Sequence, residues 1–262
     1  MQVTDQMNRI VNLSQNCQRI VSLVPSQTEL LIDLGLEDKL VGVTKFCIHP
    51  DGLKQRKTII GGTKNFDFEK IASLKPDLII GNKEENYKEG IESLEKHFPV
   101  WMSDIYNLED AKTMIQEVGK ITDTSDKSKE IIHQIEQEES QLNHIEYKNA
   151  LYFIWRNPYM VAGSNNYINE MLRLNGYKNL CNSSEFVRYP EVTEEEIIQI
   201  NPETILLSSE PFPFKQKHVE ELKKLLPKTE IKIVDGELYS WYGSRIIKAL
   251  KLFNTNGNRN QT

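Results

Sequence analysis

Long apolar runs are missing from this sequence of 262 residues, and so is an excess of basic residues. No stretch of about 18 apolar residues occurs, which excludes a membrane-spanning helix. The formal net charge of -6 leaves no basic face for a phosphate backbone, so nucleic acid is excluded as a partner. Three cysteines are too few for a disulfide framework. The content of 39% hydrophobic and 27% charged residues predicts a folded globular protein.

The short motifs of common catalytic sites are also missing. The chain has no Gly-x-Ser-x-Gly elbow, no phosphate loop, no dinucleotide fingerprint and no pair of metal-binding histidines. Its five histidines are scattered singly along the sequence. The sequence therefore favours a binding protein over an enzyme.

Short β-branched runs alternate with helical patterns, which is typical of parallel strands joined by crossover helices. Strands are predicted at residues 19–24, 40–43, 78–80, 150–154, 204–207 and 231–234. Helices are predicted at residues 27–34, 87–96, 108–121, 167–174, 219–225 and 243–253. Ser26, with Glu29 three positions later, predicts a capping box at the start of the first helix.

One segment departs from this alternation. Residues 125–147 contain no Gly, no Pro and no strand pattern, and apolar residues recur at Ile131, Ile135, Leu142 and Ile145. This spacing predicts one long helix of roughly 30 Å, at 1.5 Å per residue. We expect it to join two lobes rigidly.

An internal repeat predicts those two lobes. Residues 69–80 (EKIASLKPDLII) are echoed by residues 195–206 (EEIIQINPETIL). In each copy a short helix, with Asp67 or Thr193 suited to its N-cap, ends before a Pro, and an apolar run then enters a buried strand. The alternative is chance recurrence of a common α/β pattern. The repeat favours an α/β fold of two Rossmann-like lobes with mostly parallel sheets, divided into an N-terminal lobe (1–105), a helical region with the connecting helix (106–148) and a C-terminal lobe (149–262).

Several motifs, in order along nearly the whole chain, carry a family resemblance. They are VTD at 3–5, QRIVSL at 18–23, PSQTEL at 25–30, LKPDLII at 74–80, YPEVT at 189–193, and DGE at 235–237 leading to SR at 244–245. Together they resemble the helical-backbone (class III) periplasmic substrate-binding proteins of ABC importers for cobalamin, iron-siderophores and haem. The last two motifs are most similar to those of cobalamin-binding members.

The resemblance implies a monomer that holds its ligand between the lobes and delivers it to an ABC permease dimer. The ligand would be cobalamin, haem or a ferric siderophore, carried as cargo and not as a catalytic cofactor. Large aromatic faces suit a broad, flat ligand; the alternative is that such aromatics plug the lobe interface. The residues that the resemblance and their places at strand ends assign to the ligand are Phe46, Lys64, Glu84, Trp155, Arg188, Tyr189, Glu237, Trp241 and Arg245.

Lys64 departs from the family pattern, because the cobalamin binder has a cleft tryptophan there. A cation in place of an apolar face leaves specificity for cobalamin open. A ligand with carboxylate or phosphate groups could meet Lys64 or one of three arginines, since guanidinium binds such groups in a bidentate fork. These arginines are Arg156, Arg188 and Arg245.

Cys47 and His49 are candidate metal ligands, since thiolate and imidazole suit soft and borderline metals. They are two ligands and not four, and a third would have to come from elsewhere, such as Glu84 or Glu237. We favour loop residues that line the cleft. If either contacts a metal, axial ligation of a haem iron or corrin cobalt is expected, not a closed zinc site.

Glu69 and Glu195 occupy equivalent positions in the two copies of the repeat. The resemblance implies that they dock on the permease, because they match acids that cobalamin-binding relatives present to permease arginines. Each would also stabilise the start of its own helix, which is the alternative role.

The location stays open at this point. The resemblance implies the periplasm, but the first 13 residues lack the apolar core of a signal peptide. Two other interpretations therefore remain: a cytoplasmic enzyme such as a chelatase, or a soluble cofactor carrier or sensor on a related two-lobed scaffold.

Overall fold

The computed structural model describes residues 1–14, 17–143 and 147–259, which form two compact units. The first unit contains Met1–Ile105, Glu109–Ile135 and Trp241–Ile246, and the second contains Tyr106–Leu108, Glu136–Ser240 and the chain from Ile247 onward. None of the helices in the described part of the chain is both long enough and apolar enough to cross a membrane. The division at residues 105 and 148 stays a prediction.

The first half of the chain builds one sheet with its helices and two small hairpins. Its elements are β1 (Gln2–Thr4), β2 (Ile10–Asn12), β3 (Ile20–Ser22), α1 (Pro25–Asp33), a 3₁₀ turn (Glu37–Lys39), β4 (Leu40–Val43), α2 (Leu53–Arg56), β5 (Thr58–Ile59), β6 (Gly61–Gly62), β7 (Asn65–Phe66), α3 (Phe68–Ser73), β8 (Leu78–Asn82), α4 (Lys88–Glu95) and β9 (Val100–Ser103). Two helices follow, α5 (Leu108–Ile121) and α6 (Ser125–Ser140).

The second half builds another sheet. Its elements are β10 (Lys148–Trp155), β11 (Tyr159–Val161), α7 (Tyr167–Leu174), β12 (Tyr177–Asn179), β13 (Glu191–Val192), α8 (Glu194–Ile200), β14 (Thr204–Ser208), α9 (Gln216–Leu225), β15 (Glu230–Val234), α10 (Glu237–Ser240) and α11 (Arg245–Arg259).

The sheet of the first unit has the order β5-β4-β3-β8-β9, and every pairing in it is parallel. Strands β3 and β8 lie inside this sheet and are fully buried, which explains their continuous apolar sequence. Because all five strands run the same way, their carboxyl ends meet at one edge. The loops at that edge are where an α/β unit binds ligands.

The sheet of the second unit has the order β13-β11-β10-β14-β15, with β12 also paired to β10. β10 runs parallel to β12 and β14, and β14 runs parallel to β15. β11 and β13 add two antiparallel pairings. The α/β fold class with mostly parallel sheets is therefore confirmed, and all six predicted strands and all six predicted helices are present.

The capping box predicted at Ser26 is wrong. Helix α1 begins two residues earlier than predicted, at Pro25, and its N-cap Val24 makes no side-chain capping hydrogen bond. Proline is favoured in the first turn of a helix, because its fixed φ suits the helix and its missing N–H has no partner there. Ser26 consequently lies inside the helix, and the carboxylate of Glu29 binds Arg245 instead.

The long helix is shorter than predicted. Helix α6 spans 16 residues, roughly 24 Å, and buries Ile131 and Ile135 as its spacing predicts. The N–H groups of residues 141 and 142 bond to carbonyls three residues back, which tightens the chain and ends the helix. Residues 141–143 are therefore not helical, and residues 144–146 lie outside the described part of the chain. The connecting role of this helix stays a prediction.

The two copies of the repeat have the same local structure. The carboxylate of Asp67 accepts the N–H of Lys70 at the start of α3, over 3.1 Å. The hydroxyl of Thr193 accepts the N–H of Glu196 at the start of α8, and the Glu196 carboxylate accepts the N–H of Thr193 in return. Both predicted N-caps are confirmed.

The second half of the repeat, from the residue before the Pro onward, also has the same local structure in both copies. Lys75 and Asn201, each just before the Pro, have left-handed φ angles of 46° and 48°. The carboxylate of Asp77 then accepts the N–H groups of the two residues before β3, over 2.7 and 2.9 Å. The carboxylate of Glu203 accepts the N–H of the second residue of β10, over 2.8 Å. In both units the acid of the repeat therefore fixes the start of the neighbouring parallel strand.

Candidate functional site

Seven of the predicted site residues belong to the first unit, in loops at the carboxyl edge of its sheet or in the segment 241–246. They are Phe46, Cys47, His49, Lys64, Glu84, Trp241 and Arg245. The other four ligand residues belong to the second unit: Trp155, Arg188, Tyr189 and Glu237.

Phe46 presents an exposed aromatic ring just beyond β4. Its side chain is 49% exposed, and the ammonium of Lys45 lies 5.0 Å from the ring centroid. Gly62, in the hairpin of β6 and β7, lies beneath both side chains. A Cβ at Gly62 would lie 3.3 Å from the Phe46 ring and 3.5 Å from Cε of Lys45. The absence of a side chain at Gly62 therefore lets Phe46 and Lys45 rest on this hairpin.

Lys64 lies on the same hairpin, and its ammonium donates to the carbonyl oxygen of Glu84 over 2.5 Å. The loop that carries Glu84 is held in shape by two buried asparagines. The side-chain oxygen of Asn82 accepts the N–H of Glu84, and Asn86 accepts the N–H of Asn82. The amide of Asn86 also donates to the carbonyl of Thr63, which ties the loop to the hairpin. Lys64 and Glu84 are thus brought together at the edge where they were predicted.

Trp241 and Arg245 are packed into the first unit. The Trp241 ring is only 7% exposed, with the His49 ring at 5.4 Å in edge-to-face geometry and the Arg245 guanidinium 4.7 Å from its centroid. Arg245 is buried and binds both carboxylate oxygens of Glu29. These contacts position the segment 241–246. Direct ligand contact by Trp241 or Arg245 stays a prediction.

Tyr242 is buried next to Trp241, and its hydroxyl lies 3.5 Å from the carboxylate of Glu85. Burial raises the pKa of the Tyr242 hydroxyl well above its ordinary value, and the nearby Glu85 carboxylate adds to this effect. The hydroxyl therefore stays protonated and acts as a hydrogen-bond donor at the carboxyl edge of this sheet.

Cys47 points inward between two hydroxyl groups. Its sulfur lies 3.1 Å from Oγ1 of Thr28 and 3.2 Å from Oγ1 of Thr44, and the residue is buried. Burial raises the pKa of this thiol, and a neutral thiol is a weak metal ligand. Within the described residues, no group of three or more His, Cys, Asp or Glu side chains could hold a metal ion. A metal contact by Cys47 or His49 stays a prediction.

Trp155, the last residue of β10, presents an exposed aromatic ring at the carboxyl end of the second unit's sheet. The side chain is 40% exposed and packs edge-to-face on Phe212, with 5.7 Å between ring centroids. Phe212 in turn contacts Phe214 at 4.8 Å and the buried ring of His218 at 5.4 Å. Burial lowers the pKa of His218, so its imidazole is neutral at neutral pH. Trp155 therefore rests on an aromatic support.

Arg188 has a left-handed φ of 60° in the loop before β13. Its guanidinium lies 5.9 Å from the Tyr106 ring centroid and donates to the Tyr106 hydroxyl over 3.4 Å. Its carbonyl accepts the N–H of Gly163 and the side-chain amide of Asn166. The next residue, Tyr189, is half-buried. The loop is thus held by its backbone, and Arg188 is directed along Tyr106.

Glu237 begins the short helix α10, just after β15. Its N–H donates to the carboxylate of Asp235 over 3.1 Å, and its own side chain is partly exposed. Arg156, which directly follows β10, is held by Glu221, with 2.6 Å between Nη2 and the carboxylate. Among the predicted cations, Arg156 and Arg245 therefore already have carboxylate partners inside their own units.

Four residues of these surfaces were missed by the sequence interpretation: Lys45, Glu29 as the partner of Arg245, Phe212 and His218. Lys45 directly precedes Phe46, and Phe212 lies in the run Pro211 to Phe214, so an inventory of aromatic and basic residues next to predicted strand ends would have found both. The roles of Glu29 and His218 depend on tertiary contacts that no local pattern contains.

The two candidate docking acids have equivalent environments. Glu69 is the second residue of α3 and Glu195 is the second residue of α8, and both side chains are exposed. One belongs to each unit. Their docking role stays a prediction.

Comparison with known proteins gives consistent matches over most of the chain. A family model described as periplasmic binding protein matches residues 20–226. The uncharacterized ABC transporter substrate-binding lipoprotein YvrC of Bacillus subtilis (strain 168) is 27% identical over 269 residues, covering 95% of this chain and 82% of that protein. The vitamin B12-binding protein of Vibrio vulnificus (strain CMCP6) is 26% identical over 196 residues, covering 73% of this chain and 71% of that protein.

Among solved structures, the periplasmic heme-binding protein RhuT from Roseiflexus sp. RS-1, in apo form, matches with a TM-score of 0.80 at 21% identity. The match covers 94% of this chain and 99% of that one. At this level of identity the likeness shows the fold.

Proposed function

Because the chain belongs to the periplasmic binding protein family, we propose that it is the substrate-binding component of an ABC importer. Membership of this family confirms the resemblance found in the motifs, and it confirms a binding protein rather than an enzyme. The ligand that we propose is a metal chelate or tetrapyrrole, namely cobalamin, haem or a ferric siderophore. Similarity to a vitamin B12-binding protein and to the fold of a haem-binding protein supports this ligand class.

One observation carries the ligand class: each unit exposes a large aromatic side chain at the carboxyl end of its sheet. Phe46 follows β4 in the first unit, and Trp155 ends β10 in the second. Each ring rests on packed protein, Phe46 on Gly62 and Trp155 on Phe212. Rigid aromatic faces provide large apolar contact with few torsions to freeze, which suits a broad, flat ligand.

We place the protein in the periplasm or an equivalent extracytoplasmic space, acting as a monomer that docks on a permease dimer. The family and the similarity to a substrate-binding lipoprotein support this location. The exposed acids Glu69 and Glu195 are the proposed docking residues, since each unit presents one of them at an equivalent place in the repeat.

The test of the ligand class is direct binding. The purified chain is titrated with haemin, cyanocobalamin or ferrichrome, and binding is followed by the change in visible absorption and by calorimetry. We expect at least one of the three to bind in the micromolar range or tighter, and Phe46→Ala and Trp155→Ala each to weaken binding by about tenfold or more.

Tyr147→Ala is the matched control. Tyr147 is also exposed, at 47%, but it precedes the first residue of β10, whereas Trp155 is the last residue of that strand. Loss of the Tyr147 side chain should leave the affinity for the ligand unchanged. Failure of all three compounds to bind would contradict the proposed ligand class.

A further inference from the structure

We propose that Lys45 and Lys64 hold an anionic group of the ligand beside the ring of Phe46. The inference rests on the proposed function and narrows its ligand class to a flat, apolar molecule that carries a carboxylate or a phosphate. Lys45 was absent from the sequence interpretation; it follows β4, and its side chain rests against Gly62 of the hairpin of β6 and β7.

Both lysines are exposed and lack a carboxylate partner among the described residues. Lys83, at the same edge of the sheet, shows the contrast, because its ammonium lies 2.5 Å from the carboxylate of Asp104. The charge of Lys83 is therefore balanced within the protein, whereas the charges of Lys45 and Lys64 are not.

Lys64 is oriented without being neutralised. Its ammonium has three donor hydrogens, and the carbonyl oxygen of Glu84 accepts one of them. A carbonyl acceptor fixes the direction of the side chain but carries no net charge. The remaining donors and the full positive charge are available to an anion, and charge-assisted hydrogen bonds are roughly twice as strong as neutral ones.

Lys45 is held in a similar way by an aromatic ring. Its ammonium lies 5.0 Å from the centroid of Phe46, a cation–π arrangement that also leaves the charge uncompensated. The same Phe46 ring is 49% exposed, so an apolar ligand face can cover it.

One hairpin connects the two cations. Gly62 lies under Lys45 and Phe46, and Lys64 is two residues further along the same hairpin. Asn86 ties the hairpin, through the carbonyl of Thr63, to the loop that holds Lys64. The structure thus combines an exposed ring with two positioned, unbalanced ammonium groups, which matches a flat molecule with an anionic edge.

The experiment compares ligands that differ in that anion. Haemin carries two carboxylates, and its dimethyl ester carries none; cyanocobalamin carries a phosphodiester, and dicyanocobinamide lacks it. The first pair tests a carboxylate and the second a phosphate. Dissociation constants are measured for the wild type, for Lys45→Met/Lys64→Met, and for the control Lys39→Met/Lys96→Met, which removes two lysines that precede the amino ends of β4 and β9 in the same sheet.

We expect the acid form of at least one pair to bind about tenfold or more tightly than its partner in the wild type and in the control. In Lys45→Met/Lys64→Met this advantage should fall to less than about threefold, while binding of the ester or of cobinamide is retained. The melting temperature should not change, because both lysines are exposed. Unchanged binding of the uncharged ligand would show that the variant is folded.

Equal binding of acid and uncharged forms by the wild type would overturn this inference and leave the proposed function intact. An advantage that survives in Lys45→Met/Lys64→Met would also overturn it. Absence of binding by all four compounds would overturn the proposed tetrapyrrole ligand, and this inference with it.

Discussion

The guanidinium of Arg245 donates to both carboxylate oxygens of Glu29, over 2.6 and 2.7 Å. This bidentate pair joins the first residue of α11 to α1 inside the first unit. Gly243 adds to the same contact: its φ is 103°, and a Cβ there would lie 3.3 Å from Cβ of Leu30 and from the carbonyl oxygen of Ser26. The segment 241–246 is therefore held on α1 by one ion pair and one close backbone approach.

Breaking this pair should destabilise the fold strongly. Arg245→Met leaves the Glu29 carboxylate without its partner, and loss of one member of a buried pair costs about 3 to 5 kcal/mol. We expect that loss in the free energy of unfolding, measured by urea denaturation with tryptophan fluorescence. Arg245→Met/Glu29→Leu should recover part of it, because the unpaired charge is then removed.

Arg56→Met is the matched control, since Arg56 and Glu37 form a more exposed pair at 2.9 Å. It should change the free energy of unfolding by about 0 to 1 kcal/mol. Equal losses for Arg245→Met and Arg56→Met would contradict the structural role of the Glu29 pair.

His218 predicts a pH dependence of stability. Its Nδ1 accepts the N–H of Lys215 over 2.9 Å, and its ring is buried against Phe212 and Phe214. Burial lowers the pKa of His218, and the positive charge of Arg156 lowers it further. Lys215 and Lys217 also lower the pKa of His218, and the Glu221 carboxylate raises it.

The direction of the effect follows from proton linkage. An unfolded histidine has a pKa of about 6.5, so as the pH falls below that value the unfolded state gains a proton before the folded state does. Stability should therefore be greatest above about pH 7 and should fall between there and the lowered pKa of His218. We expect the melting temperature of the wild type to fall more than that of His218→Gln between pH 7.5 and pH 5, by a difference larger than the precision of a thermal scan. Parallel profiles would contradict the assignment.

Most secondary structure was predictable because its signals are local. Helices 108–121 and 167–174 begin and end as predicted, since their apolar spacing changes at those residues. The capping box predicted at Ser26 was wrong because the contact that Glu29 makes is not local. Glu29 has its partner 216 residues away, at Arg245, and a motif four residues long contains no information about that contact.

The candidate surfaces were predictable only in part. Phe46, Lys64 and Glu84 lie in loops after strands, so the rule that α/β sheets bind ligands at their carboxyl ends placed them at one edge. Burial was not predictable from the sequence. Trp241 looks like a loop aromatic in the sequence, yet His49 and Arg245 cover it in the structure.

The cysteines should be unreactive in the folded protein. All three are free and buried, and burial raises the pKa of Cys181 to about 11 and raises that of Cys47 between its two threonines. Since the thiolate is the reactive form, we expect a thiol reagent to label the native chain only slowly and to label all three cysteines in guanidinium chloride.

Metal analysis and chelator treatment test a zinc site at Cys47 and His49. We expect no stoichiometric zinc after purification, and no change in melting temperature on treatment with a chelator. Zinc whose removal unfolds the chain, as for a metal whose binding free energy is folding free energy, would contradict this prediction. Cys47→Ser would then show whether that thiol is a ligand.

The docking prediction rests on the repeat. Glu69 and Glu195 are each the second residue of a short helix that begins with a confirmed N-cap, and each continues through a Pro into a central strand of its own sheet. A carboxylate at a helix start stabilises the helix by about 0.3 to 1 kcal/mol, which would explain either acid alone. If the proposed docking is correct, equivalent exposed acids on both units would give a permease dimer one contact for each subunit.

Reversing both charges, with Glu69→Arg/Glu195→Arg, should abolish association with the permease and leave ligand affinity unchanged. Close charge pairs at an interface couple by about 1.5 to 7 kcal/mol, so two reversed charges should weaken association by more than about a hundredfold. Glu89→Arg is the control, because Glu89 is an exposed acid in the first turn of α4 and loses the same helix-start contribution. Permease association is measured with reconstituted transporter, and ligand affinity is measured separately. Association that survives the double reversal would leave Glu69 and Glu195 as helix-start residues only.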